Sequence, residues 1–195
     1  MNELIEIEVK IKISNLKDFV AKLRKTGAVF KGKDFQKTIR MDTPDLDLEK
    51  RKIFLRVRSG LGNTLTLKVK KEEDKDFKLR DEYETEIKDL KVLTRIFSLL
   101  GFSKHFVMEK YRADFSYGGV EISVDELPFG TYVEFEGTKE AINKALKVFG
   151  LDKTERITVT YWHIFDEIRK KNPSLEENIV FPKGYKSKLM QNAYF

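Results

Sequence analysis

The sequence predicts an α+β fold in which antiparallel strands carry amphipathic helices on one surface. Three observations lead there. Segment after segment alternates apolar and charged residues with period two, the mark of strands with one apolar and one ionic face. Four other stretches place apolar residues at helical spacing, and such helices need an apolar sheet surface to cover. The ionic strand faces hold both signs, with carboxylates two residues apart on some strands and Lys or Arg two apart on others.

The first strand is the clearest. Ile5, Ile7, Val9, Ile11 and Ile13 alternate with Glu6, Glu8, Lys10 and Lys12. Ser14 or Asn15 can cap a helix carrying Leu16, Phe19, Val20 and Leu23, with Gly27 as its stop. A less regular strand follows at 28–42. Ile53, Leu55 and Val57 then oppose Arg56 and Arg58, and Leu65, Leu67 and Val69 oppose Thr66, Lys68 and Lys70. Tyr83, Thr85 and Ile87 oppose Arg80, Glu82, Glu84 and Glu86. A helix over roughly 89–100 ends at Gly101, before a strand near 104–116 with Lys110 and Arg112 and a turn at Gly118-Gly119. Val120, Ile122 and Val124 oppose Glu121, Ser123 and Asp125. A loop with Pro128 and Gly130 leads to Val133 and Phe135, opposed by Glu134 and Glu136. Helices at about 138–149 and 160–171 close the pattern, giving about eight strands in all. No linker interrupts 1–171, which reads as one domain, and 172–195 reads as an extension docked on it.

Composition narrows the function classes. The 195 residues are 41% hydrophobic, enough for a core despite 36% charged residues, so general disorder is excluded. Charge-free runs reach only about nine residues, far short of the ~20 that span a bilayer. Met1-Asn2-Glu3-Leu4 shows no secretory signal, and the expectation is a soluble, cytoplasmic protein without membrane partners. No cysteine is present, which excludes disulfides, thiolate metal sites and a Cys nucleophile. The net charge of +6 comes from 38 basic against 32 acidic residues; such a mixed balance argues against a nucleic-acid partner. No GxxxxGK[ST] or HExxH motif occurs, Gly60-Leu61-Gly62 lacks the third glycine of GxGxxG, and His105 and His163 stand alone and read as structural. Trp162 reads as packing on the sheet.

Solvation would account for the ionic face of any single strand. For the set, a second arrangement is open: a barrel with helices on its apolar outside and charge lining its inside. Clustered carboxylates in such an interior repel one another and take up protons unless cations neutralise them. Divalent ions and a polyanion would balance its two halves.

The motifs in this order resemble the CYTH superfamily, the triphosphate tunnel metalloenzymes. Glu6-Ile7-Glu8-Val9-Lys10 is similar to its ExExK signature, and Asp42-Thr43-Pro44 with Leu55-Arg56-Val57-Arg58 to its DTP…LRxR segment. Leu65-Thr66-Leu67-Lys68, Arg80 with Glu82 and Glu84, and Glu109-Lys110-Tyr111-Arg112 continue the match. Val124-Asp125-Glu126-Leu127 through Tyr132-Val133-Glu134-Phe135-Glu136 completes it. The likeness spans about residues 3–165; Ile39-Arg40-Met41, where an aromatic often precedes DT, and the longer tail after 171 depart from it.

The resemblance implies an eight-stranded antiparallel closed β-barrel with flanking helices, which binds a triphosphate with one or two Mg²⁺ or Mn²⁺ ions. Hard cations prefer oxygen ligands, which Glu6, Glu8, Asp125, Glu134 and Glu136 would supply. Lys10, Arg56, Arg58, Lys110 and Arg112 would act catalytically on the phosphates; Lys68, Lys70 and Arg80 would add binding contacts. Glu82 and Glu84 rank second, as candidates for bracing ion pairs. The implied reaction is hydrolysis of inorganic, thiamine or nucleoside triphosphate. The alternatives are a class IV-type adenylate cyclase, which makes cyclic AMP and pyrophosphate from ATP, and a non-catalytic polyphosphate- or nucleotide-binding module. The oligomeric state stays open.

Overall fold

The computed structural model describes residues 5–71 and 74–191; the expectation drawn from residues 1–4 lies outside them, as does the end of the extension at 192–195. The elements run β1 (Ile5–Ile13), α1 (Leu16–Lys25), β2 (Val29–Asp42), α2 (Asp47–Lys50), β3 (Ile53–Ser59), β4 (Thr64–Lys70) and β5 (Lys78–Glu86). They continue with α3 (Leu90–Leu99), β6 (Lys104–Tyr117), β7 (Val120–Leu127), β8 (Gly130–Glu136), α4 (Lys139–Val148) and α5 (Tyr161–Lys171). The strands are ordered β1-β5-β4-β3-β2-β6-β7-β8, every neighbouring pair is antiparallel, and β8 pairs back onto β1. The sheet is a closed barrel.

The two-residue alternation decides what lies on each side. Val9 and Ile11 of β1 face outward with Ile122, Val124, Val133 and Phe135. The helices α1 and α4 cover them with Leu16, Phe19, Val20 and Leu23, and with Ile142, Ala145 and Leu146, joined by Phe149 just after α4. A second outer cluster forms where Leu90, Leu93 and Phe97 of α3 meet Leu55, Val57, Leu65 and Leu67. The core is therefore outside the barrel and the charges inside, because helices can bury only the apolar strand faces. A third cluster, Phe106, Met108, Tyr132, Tyr161, Trp162 and Phe165, holds α5 at one end of the tunnel.

Local chemistry explains the ends of the elements. Asn15, Asp89, Thr138 and Thr160 each accept a backbone N–H as the N-cap of their helices. Gly118 and Gly119, both at positive φ, turn β6 into β7 as a tight hairpin requires. One feature sharpens the sequence reading and another was not in it. The expected loop at Pro128 and Gly130 is a tight connection in which Leu127 pairs with Gly130. The short α2 carries no periodic signal; the fully buried Asp42 builds it by accepting N–H bonds from Thr43, Leu48 and Glu49 at 2.8, 2.9 and 3.0 Å. That is a structural role for the acid of the Asp42-Thr43-Pro44 motif.

Candidate active site

The barrel encloses a cavity of about 470 Å³. Its lining includes Lys10, Arg56, Arg58, Lys68, Lys78, Arg80, Lys110 and Arg112 together with Glu6, Glu8, Glu82, Glu84, Glu134 and Glu136. Each comes from the inward face of its strand, so the alternation that built the outer core also built this ring of charge.

The acids and bases interlock. Lys10 bonds Glu8 and lies 3.1 Å from Glu134, while Lys78 bonds Glu8 from β5. Lys68 bridges Glu6 at 2.7 Å and Glu82 at 3.0 Å. Arg112 makes two 2.6 Å bonds to Asp125 and one of 2.5 Å to Glu134. Arg58 lies 3.3 Å from Glu84, which also accepts from Thr66 at 2.7 Å. Burial alone would push the Glu8 carboxyl up, but Lys10 and Lys78 outweigh it and hold it well below the carboxylate range. Glu134 is held down likewise, against burial, by Lys10 and Arg112. Burial lowers Lys78 to about 8, and Lys110 to about 8 with help from Arg112. Glu136 goes the other way: burial and the neighbouring Glu6 and Glu8 push it up to about 7, although the residue is open to solvent at the surface.

Two of the expected residues lie elsewhere. Asp125 is fully buried behind the lining, where Lys110 at 3.1 Å, Arg112 and the Tyr161 hydroxyl at 2.9 Å donate to it. Its position is that of a counter-ion for two cations, one layer back from the cavity. Lys70 lies off the tunnel and borders a smaller side cavity of about 230 Å³ with Arg40, Arg80, Trp162 and His163. Arg80 and Trp162 border both spaces. Trp162 packs against Phe106 as expected and also reaches the lining. His105 bonds the Phe102 carbonyl at 3.1 Å, a structural contact.

Sequence reasoning missed Lys78 and Tyr161. Lys78 sits two residues before Arg80, so period two places it on the inward face. Tyr161 reaches the cavity from α5, and no strand periodicity could mark it.

The residues present fit a hard divalent cation. Among the described residues no three acids or imidazoles converge into a ready metal cage, since Glu8 and Glu134 are held by lysine and arginine. The donor set is nonetheless carboxylate oxygen throughout, and Glu6 Oε2 is buried without a hydrogen-bond partner.

Fold and lining together define an ion-lined eight-stranded tunnel protein. The sequence matches the CYTH domain family over residues 4–158, and the chain belongs to that family. A protein of Methanocaldococcus jannaschii, named as a candidate adenylate cyclase, is 32% identical over 146 residues, 74% of this chain and 83% of that one. A solved structure from Pyrococcus horikoshii OT3 is 27% identical with a TM-score of 0.71, covering 84% of this chain and 99% of that one. Another, from Hippeastrum, is described as a candidate adenylyl cyclase with a dominant triphosphatase activity. It is 19% identical with a TM-score of 0.60 over 83% of this chain and 95% of that one, a likeness of fold. No helix among the described residues is long and apolar enough to cross a membrane.

Proposed function

We propose that this chain hydrolyses the terminal phosphoanhydride of a small triphosphate inside the tunnel, with Mg²⁺ or Mn²⁺. The observation that carries the reading is the lining, where eight Lys and Arg side chains share one cavity of about 470 Å³ with six glutamates. Such a space suits a compact polyanion that brings its own cation.

The chain's own groups account for most of the work. Arg56, Arg58 and Arg112 offer forked donors, and Lys10, Lys68, Lys78 and Lys110 offer point charges to the phosphate oxygens. In phosphoryl transfer, positioning and charge stabilisation dominate, and these cations stand ready for the charge that develops on the equatorial and leaving oxygens. Asp125 takes the Nε and Nη2 edge of Arg112 in a two-bond grip, which orients the guanidinium and leaves Nη1 for a phosphate oxygen. Substrate entry exchanges carboxylate partners for phosphate at Lys10, Lys68 and Arg58. Glu6, Glu8, Glu134 and Glu136 would hold the divalent ion, which supplies Lewis acidity at a phosphoryl oxygen.

A nucleotide substrate, with cyclisation as its reaction, is the second reading. Phe54 and Trp162 favour it, since both border the tunnel and the side cavity and offer flat faces to an organic group. The name of the M. jannaschii relative points the same way. Hydrolysis is preferred because eight Lys and Arg side chains face the tunnel for phosphate, against three aromatic rings, Phe54, Tyr161 and Trp162, for an organic group. The test is product analysis by ³¹P NMR and mass spectrometry after incubation with Mg²⁺ or Mn²⁺ and, separately, tripolyphosphate, thiamine triphosphate or ATP. Orthophosphate from tripolyphosphate is the expected result. Cyclic AMP as the main product would overturn hydrolysis in favour of the second reading, and binding of tripolyphosphate without turnover would make the chain a binding module.

A further inference from the structure

The family match ends at residue 158, yet the chain after α5 makes some of the molecule's most specific contacts. It returns along β6. Ile179 N–H donates to the Val107 carbonyl at 2.9 Å, Glu109 N–H donates to the Ile179 carbonyl at 2.8 Å, and Val107 N–H donates to Asn178 Oδ1 at 2.8 Å. Pairing of β7 with β6 begins only at Tyr111, so this segment takes the edge of β6 that β7 leaves open. Farther on, the chain closes over Glu126. That carboxylate is 3% exposed and accepts from Tyr185 Oη at 2.5 Å, Ser187 Oγ at 2.6 Å, Leu189 N at 2.8 Å and Lys188 N at 3.1 Å. Phe181 stacks on Tyr185 with ring centroids 4.5 Å apart, and both rings meet Tyr111. Ile179 and Leu189 are fully buried, the first in the cluster with Trp162 and the second in the main outer core.

Alternation gives these contacts a consequence inside the tunnel. Tyr111 is the outward residue between Lys110 and Arg112, and Glu126 is the outward neighbour of Asp125. Behind every member of the inward Lys110–Asp125–Arg112 group, residues 178–190 therefore hold the other face of the strand.

We propose that residues 178–190 are a strap that sets Lys110, Arg112 and Asp125 for triphosphate binding, with Glu126 as the positioning residue that anchors it. This rests on the triphosphate reading above. A buried carboxylate held by four neutral donors is stable only while those donors stay in place. In Glu126→Gln one oxygen becomes an NH₂. The Tyr185 and Ser187 hydroxyls can rotate to accept from it, but the N–H groups of Lys188 and Leu189 cannot. The substitution thus loosens the strap without emptying a cavity.

The experiment uses full-length protein, sodium tripolyphosphate and EDTA, so that hydrolysis does not intervene; calorimetry gives affinity and hydrogen exchange follows the amides of Ile179, Lys188 and Leu189. In the wild type, tripolyphosphate should slow exchange at these amides, which it does not touch, because coupling between sites is reciprocal. Glu126→Gln should speed their exchange and weaken tripolyphosphate binding about tenfold, within the usual range of such coupling. Should that variant fail to fold, Tyr185→Phe removes one donor and should weaken binding about threefold. A strap whose exchange ignores the ligand, with variants that bind as tightly as wild type, would overturn the proposal and leave the triphosphate reading intact. Should the wild type bind tripolyphosphate only when Mg²⁺ replaces EDTA, the same comparisons are made there at low temperature; absence of binding under both conditions would overturn both.

Discussion

The two halves of the barrel wall are backed unequally. Behind β1, β7, β8 and the end of β6, two helices press seven buried side chains onto the sheet, and Phe149 at the end of α4 adds an eighth. Behind β3 and β4 lies α3, none of whose residues is buried, and its Val92, Ile96 and Leu99, with Leu100 just after it, are open to solvent. The lining differs in step. On the backed half Arg112 meets Asp125 and Glu134 at 2.6 and 2.5 Å; on the thin half Arg56 stands 3.9 Å from both Glu82 and Glu84. Dense backing and the shortest arginine pairs belong to one wall and looser arginine pairing to the other, while Lys68 of β4 keeps close pairs to Glu6 and Glu82 at 2.7 and 3.0 Å. The difference teaches a division of labour, with a stiff wall that holds its geometry and a thin wall with less local stability that can adjust around a ligand.

The comparison breaks most visibly at its arginines. Arg112→Ala leaves Asp125 buried with one strong partner fewer, and denaturant unfolding should show a loss of about 3–5 kcal/mol. Arg58→Ala on the thin wall removes one 3.3 Å pair and should cost no more than about 1 kcal/mol of stability. It should still cost turnover about 10²- to 10³-fold if Arg58 meets the transferred phosphate. Equal stability losses for the two would dissolve the distinction between the walls.

Cavity creation gives a contrast without charge. Phe135→Ala empties a fully buried site in the backed wall and should cost about 3–5 kcal/mol. Leu93→Ala, in a helix with no buried residue, should cost no more than about 2 kcal/mol in the same assay, the low end for a core leucine.

A pH series sharpens the picture of the lining. Lys78 and Lys110 are lowered to about 8 in the folded protein, below the 10.5 of an unhindered lysine. Above pH 8 both lose charge, so tripolyphosphate affinity should fall between about pH 8 and 10. The unfolded chain then holds more protons than the folded one, and the stability of the free protein should rise over about pH 8 to 10.5. Lys78→Arg should move part of the affinity loss to higher pH. The smallest effect is expected at Leu99→Gln on the open face of α3, within about 0.5 kcal/mol of wild type.

Most of this architecture was legible because period two is a direct readout of inside and outside. From Ile5 to Ile13 the pattern names both the outer core and the first three lining charges. It failed where the pattern stops carrying information. Lys70-Lys71-Glu72-Glu73-Asp74-Lys75-Asp76 is charged throughout, so no alternation marks where β5 begins, and Lys78 was missed. Asp125 is on the inward face as read, but depth within the wall depends on how Lys110, Arg112 and Tyr161 pack in front of it, which no spacing reports. Lys70 alternates correctly and still lies off the tunnel, bordering the side cavity. The helix α2 was hidden because a buried aspartate, and no apolar stripe, holds it together.

The most direct test of the central claim is a crystal structure of the full chain with tripolyphosphate and Mn²⁺, its metal located by anomalous scattering. The account predicts the anion inside the barrel among Lys10, Arg56, Arg58, Lys110 and Arg112, with the anomalous peak among Glu6, Glu8, Glu134 and Glu136. An anion bound outside the barrel, or a manganese peak away from these glutamates, would contradict it.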